Sequence, residues 1–134
     1  MVSLPIPEIL TAYALSNPPV GNARIGAAIT LGKKIVSFGH NQFKSHPLQR
    51  RFGRNESSIY LHAEIDAIKN ALRVCEVDDL RHCVLHVLRV KRAAPHGCFI
   101  WGMAKPCLGC MRAIATFGIR EVYYSVEPNR IEVL

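Results

Sequence analysis

The sequence predicts an α/β domain. Stretches with apolar residues at helical spacing alternate with short runs rich in β-branched residues, and proline and glycine punctuate the joins. Two groups of metal-ligand residues stand at the starts of two different helical stretches, with a strand-like run between them. The 134 residues suit one domain, 1–134, with no internal repeat, low-complexity stretch or linker.

The elements follow in order. From Pro5 to Ser16, Ile6, Ile9, Leu10, Tyr13 and Ala14 recur at helical spacing until Asn17-Pro18-Pro19 stops the helix. Arg24 to Thr30 and Lys34 to Phe38 read as two strands joined by a turn at Leu31-Gly32-Lys33. From Gln42 to Ser58 the periodicity disappears while Lys44, His46, Arg50, Arg51 and Arg54 collect, which predicts a flexible basic loop. Leu61, Ile65, Ile68 and Leu72 then mark a helix running to about Arg73, with His62 and Glu64 in its first turn. Val84 to Val90 is a central strand, in which His86 reads as a satisfied core or surface histidine and not a metal ligand. Lys91 to Ile100 reads as a hairpin excursion turning at Ala94-Pro95-His96-Gly97. Pro106 suits the first turn of a further helix, Gly118 ends it, and Ile119 to Tyr124 is the next strand.

Composition narrows the class. Hydrophobic residues make up 49% of the chain, enough for a packed core and too many for disorder. No apolar run reaches the roughly 18 residues of a membrane span, and the first residues lack a signal-peptide pattern, so no membrane association and a cytoplasmic location are expected. Five cysteines, an odd number, argue for reduced thiols over a disulfide framework; Cys75, Cys83 and Cys98 read as small buried hydrophobes. The formal net charge of +7 favours a partner carrying phosphate, whether a nucleotide or a nucleic acid.

The chemistry lies in His62-Ala63-Glu64 and Pro106-Cys107-Leu108-Gly109-Cys110. One histidine and two cysteines are a usual protein set for catalytic Zn²⁺, which keeps its fourth position for water. Two thiolates and a neutral imidazole balance the ion's charge, and Glu64 is left over as a proton carrier. Residues two apart on a helix differ by about 200° of rotation, so His62 and Glu64 share one site only if it lies off the helix's N-terminal end. There the positive end of the helix dipole favours thiolates and developing oxyanions.

His62-Ala63-Glu64 followed by Pro106-Cys107-Leu108-Gly109-Cys110 resembles the H-x-E…P-C-x-x-C signature of the cytidine and deoxycytidylate deaminase superfamily. The resemblance covers about residues 24–125, with strong identity only at the two motifs. It implies a three-layer α/β/α cytidine deaminase-like fold around a mixed sheet of about five strands. It also implies a zinc-dependent hydrolase in which Glu64 moves a proton from water to N3 of a cytosine and then to the departing amine. In that picture Asn41, at the end of the second strand, holds a sugar hydroxyl. The Ala63 backbone N–H holds the base carbonyl, and the Lys105 carbonyl receives the leaving amine. Family members commonly carry a small hydroxyl residue where Lys105 stands, and their strand runs more directly into the cysteine loop. They also often associate, so a homo-oligomer is expected.

Within the superfamily, free deoxycytidylate or a related cytosine nucleotide is the first expectation. Lys44, Arg50, Arg51 and Arg54 are the candidates for its phosphate. Editing of tRNA or single-stranded DNA is the alternative, since it would use the same site and the same positive charge. A non-catalytic zinc or nucleic-acid-binding module is the third reading. It requires a fourth protein ligand, from His46, His96 or another cysteine, to close the site.

Overall fold

The computed structural model describes residues 4–20, 23–52, 60–93 and 97–134. Arg54, His96 and the expected turn at 94–96 lie outside the described residues. Helix α1 spans Ile6–Ser16, strand β1 Arg24–Leu31 and β2 Lys34–His40, followed by α2 at Pro47–Phe52 and α3 at Ala63–Ala71. A 3₁₀ segment at Val77–His82 leads into β3, Cys83–Arg92; then come β4 (Phe99–Gly102), α4 (Leu108–Phe117), β5 (Glu121–Val126) and β6 (Arg130–Val133).

The strands form one mixed sheet ordered β2-β1-β3-β5-β6, with β4 paired to the far end of β3. Only β3 and β5 run parallel, and the connection between them carries the cysteine motif. β5 pairs with residues Val84 to Val87 of β3 and β4 with residues Arg89 to Arg92, so the two share one flank of the same strand. Ser125, fully buried, secures the junction. Its hydroxyl donates to the Gly102 carbonyl at 2.7 Å and accepts the Arg89 N–H at 3.0 Å.

Alternation along the strands sends apolar side chains to both faces. Ala27, Ile29, Leu85, Val87, Val122 and Tyr124 pack beneath Ile65, Ile68, Cys110 and Ala113 of α3 and α4. Ala28, Leu88 and Val90 face the other way, onto Ile6, Leu10 and Ala14 of α1. The result is the expected three-layer α/β/α architecture. Backbone contact is closest at Gly39, where an added Cβ would lie 2.2 Å from the Ala67 nitrogen and 2.4 Å from the Ala63 carbonyl oxygen. Only glycine lets β2 press that tightly on the helix that presents the site.

Several boundaries differ from the sequence reading. The stretch expected to be a flexible loop contains α2, whose Gln49 and Phe52 are buried. Its six residues, fewer than two turns, are too short for a periodic signal. Residues Arg130–Val133 form a sixth strand, which their exposed, mixed-polarity sequence did not announce. Cys98 is exposed, contrary to the expectation of a buried thiol, because it lies in the turn-side segment before β4; Cys75 and Cys83 are half-buried and buried. Trp101 packs on α1, its indole N–H donating to Thr11 Oγ1 at 2.9 Å.

His86 is partnered inside the sheet, with Nε2 3.1 Å from Thr30 Oγ1 and the ring stacked on Tyr123. Burial lowers its pKa below the usual 6.5. The unfolded chain therefore takes up this proton first, and stability falls as the pH drops from about 6.5 through the lowered folded value. The expected result is that the wild-type melting temperature declines more steeply between pH 7.5 and 5 than that of His86→Leu. Equal slopes would contradict this role.

Candidate active site

Two helix N-termini converge at one end of the sheet. His62 is the N-cap of α3, in extended conformation, and Cys107 is the N-cap of α4, its Sγ accepting the Cys110 N–H at 3.5 Å. Helix caps leave their first amides without intrahelical partners, so both ends present N–H groups and positive potential to the space between them. The His62 N–H is taken up by Gln49 Oε1 at 3.0 Å, and Gln49 is 1% exposed. α2 thus braces the start of α3.

His62 Nδ1 lies 3.6 Å from Cys107 Sγ and 3.4 Å from Cys110 Sγ. Ordinary Zn–S and Zn–N bonds at a tetrahedral angle place such a pair about 3.6 Å apart. All three donor atoms fall within 4.8 Å of one another. Among the described residues, no fourth histidine, cysteine or carboxylate joins the group. His46, one of the candidates for closing it, instead accepts the Leu48 N–H at its Nδ1. The donor set fits a zinc ion with one position left for another ligand.

The protons in this cluster are shared. Cys107 is pushed down to about 3, first by the hydrogen bond from the Cys110 thiol and then by His62. Cys110, buried beside that thiolate, is held protonated above its ordinary value. The hydrogen bond to Cys107 also raises His62, with burial opposing. Such a cluster, one thiolate beside a thiol and an imidazole, is prepared for a cation that displaces the remaining protons. Glu64, 6% exposed, sits among these groups without joining the donors. Burial raises its carboxyl above the usual range, while its own backbone N–H and the neighbouring His62 draw it back.

A cavity of about 360 Å³ opens over this cluster, lined by His62, Ala63, Glu64, Cys107 and Lys105 on one side and Asn41, Gln42, Ile25 and Arg89 on another. Asn41 is held firmly. Its Oδ1 accepts the Ile25 N–H at 3.1 Å and its Nδ2 donates to the Ala23 carbonyl at 3.0 Å. Asp66, 2% exposed, accepts both the His40 N–H and the Gln42 side chain, which anchors the same segment to α3. Lys44 lies on a smaller neighbouring hollow, and Arg50 and Arg51 are exposed on α2, so the structure does not bring these three to the cavity wall. Gln42, Gln49 and Asp66 carry no signal in the sequence because each acts through a partner distant in the chain, and Arg89 reaches the cavity only through sheet register.

The profile of the cytidine and deoxycytidylate deaminase zinc-binding region matches residues 7–126. The chain belongs to this deaminase family. Among solved structures it resembles the apo dCMP deaminase of cyanophage S-TIM5, with 21% identity, a TM-score of 0.57, and coverage of 93% of this chain and 86% of that one. The same enzyme in complex with dCMP and dUMP matches with 18% identity and a TM-score of 0.58, over 89% of this chain and 76% of that one. At these identities the likeness concerns the fold. No curated protein matches the chain. Among the described residues no helix is long and apolar enough to cross a membrane.

Proposed function

We propose that this deaminase-family protein hydrolyses the exocyclic amine of a cytosine nucleotide, with free deoxycytidylate as its first substrate, giving the uracil nucleotide and ammonia. One observation carries the reading: three metal donors converge while Glu64, buried against them, stays outside the donor set. A structural zinc site has no use for such a carboxyl, whereas water addition to a ring needs a group that carries protons in both directions. The solved complex of the cyanophage enzyme with dCMP and dUMP supports a nucleotide as the ligand class.

In this reading His62, Cys107 and Cys110 hold Zn²⁺, which when bound supplies Lewis acidity that makes water a nucleophile near neutral pH. Glu64 takes a proton from the water and delivers it to N3 as oxygen adds at C4; it then takes the remaining proton of the added hydroxyl and passes it to the amino group, which leaves as ammonia as the C4 carbonyl forms. Burial favours its protonated form and a bound cation its carboxylate, the two forms between which a proton carrier moves. The Ala63 N–H, at the first turn of α3, holds the base carbonyl, and the Lys105 carbonyl faces the leaving ammonia. Asn41 keeps one lone pair and one amide hydrogen beyond its strand contacts, enough for a sugar hydroxyl. Lys44, Arg50 and Arg51 attract the anionic substrate at longer range, and Arg54 joins them on sequence alone.

A second reading has its own support. Phe43 and Tyr60, 63% and 46% exposed, meet edge to face at 5.9 Å, and Tyr60 stands on the cavity wall with Lys44 beside Phe43. Such a pair offers a stacking surface for a base flanking the target in a single strand. Relative turnover separates the two readings. The nucleotide reading predicts that deoxycytidylate exceeds deoxycytidine in kcat/KM by about 10- to 150-fold, the worth of one charge-assisted contact at roughly 1.5 to 3 kcal/mol. If only an oligonucleotide reacts, with affinity falling steeply as salt rises, the substrate is a polymer.

A further inference from the structure

Arg89 is the one cation on the cavity wall that comes from the central strand. It lies on β3 directly across from Ile25 of β1 and Gly102 of β4. Its backbone N–H is fixed by the Ser125 hydroxyl at 3.0 Å, and its stem runs past Gly102 of the neighbouring strand. Yet its Nε is buried with no hydrogen-bond partner. Nor does its side chain enter any ion pair among the described residues.

A buried guanidinium nitrogen without a protein acceptor is an unfavourable arrangement that folded chains keep rarely, and one that a water, an ion or a ligand completes. The acceptor it suits best is an oxyanion, because guanidinium is permanently charged and its N–H groups form a fixed fork. Position narrows the choice further. Ile25, opposite Arg89, is the residue whose N–H fixes Asn41, so Arg89 lies on the side of the cavity where the sugar is read. The oxyanion attached to a nucleotide's sugar is its phosphate.

We propose that Arg89 is the specificity-determining residue that binds the substrate's phosphate, and so sets the preference for a nucleoside monophosphate over the nucleoside. The proposal rests on the nucleotide reading above and moves the phosphate contact from the basic segment around α2 to the strand floor. No sequence motif marks Arg89, which lies among the apolar residues Val87, Leu88 and Val90 of β3.

The test compares zinc-loaded wild-type protein with Arg89→Met, which keeps the apolar stem, and Arg89→Lys, which keeps the charge without the fork. Melting curves establish that each variant is folded. The first readout is the ratio of kcat/KM for deoxycytidylate to that for deoxycytidine. It should fall about 10- to 100-fold in Arg89→Met, mostly through KM, and less in Arg89→Lys. The second is calorimetric binding of deoxyuridylate against deoxyuridine, which needs no turnover and should lose the same preference. Wild-type protein that binds the nucleotide more tightly than the nucleoside but releases no ammonia would sink the deaminase reading and leave Arg89's role testable by binding alone. Equal losses for nucleotide and nucleoside would assign Arg89 to the base or to packing and overturn the proposal. So would an unchanged ratio, or a wild-type protein that does not distinguish the two ligands.

Discussion

Glu64→Gln is expected to keep its zinc and lose deamination by at least about 10²-fold, the usual scale for removing a general acid-base group. The glutamine side chain has the same shape and can occupy the same buried place beside His62 and Cys110. It cannot carry a proton. Because burial already raises the carboxyl's pKa, replacing it with a neutral amide removes a group that is poorly solvated in its charged form. The variant should therefore fold at least as well as the wild type. Metal content and turnover measured on the same sample make the distinction. Loss of zinc would mean that Glu64 helps hold the metal; near-normal turnover would end its role as proton carrier.

The second large effect concerns the metal. Changing Cys107 and Cys110 together to alanine should take zinc from about one per chain to almost none, with activity lost entirely. The two sulfur donors supply most of the affinity for a borderline-soft ion, and His62 alone at a half-exposed helix cap is a weak ligand. Stability should follow. A ligand held at 1,000 times its Kd stabilises the folded state by about 4 kcal/mol, so the variant should melt well below the zinc-loaded wild type and close to wild type treated with chelator. Full zinc content in the double variant, by elemental analysis, would place the metal elsewhere.

How much of this was legible in advance depends on how local the signal is. His62, Glu64, Cys107 and Cys110 could be read because each motif is a short string at a helix start, and helix geometry alone places such residues at the end of the helix. The core strands were equally plain, since Ile25 to Ile29 is apolar on both faces and Leu85 to Val90 is interrupted only by His86 and Arg89. α2 was missed because its apolar positions are few and its charge is high; Gln49, its most consequential residue, is a polar side chain whose burial depends on the backbone of His62 thirteen residues away. β6 was missed because its residues are exposed and its pairing comes entirely from β5. Charge clustering in the sequence points to Lys44, Arg50, Arg51 and Arg54 as phosphate contacts. Arg89, with no charged neighbour nearer than Lys91 in the chain, comes to the cavity only through sheet register.

Register also explains the departure in the segment before the cysteines. β3 continues past the point where β5 leaves off and returns as β4, and Ala104 then rejoins the sheet through its N–H to the Ser125 carbonyl at 2.9 Å. The excursion places Met103, Ala104 and Lys105 along the cavity while α4 still begins at the cysteine cap. The bulky Lys105 is thereby accommodated on the exposed rim of the cavity.

The most direct measurement is ammonia release by the zinc-loaded protein across cytidine, deoxycytidine, their monophosphates, adenine and guanine nucleotides, and a short single strand. The account predicts ammonia and the matching uracil product in equal amounts from deoxycytidylate, faster than from any other compound in the set. Release of ammonia from none of them, by folded protein carrying its zinc, would contradict the claim that this cluster is a deaminase centre.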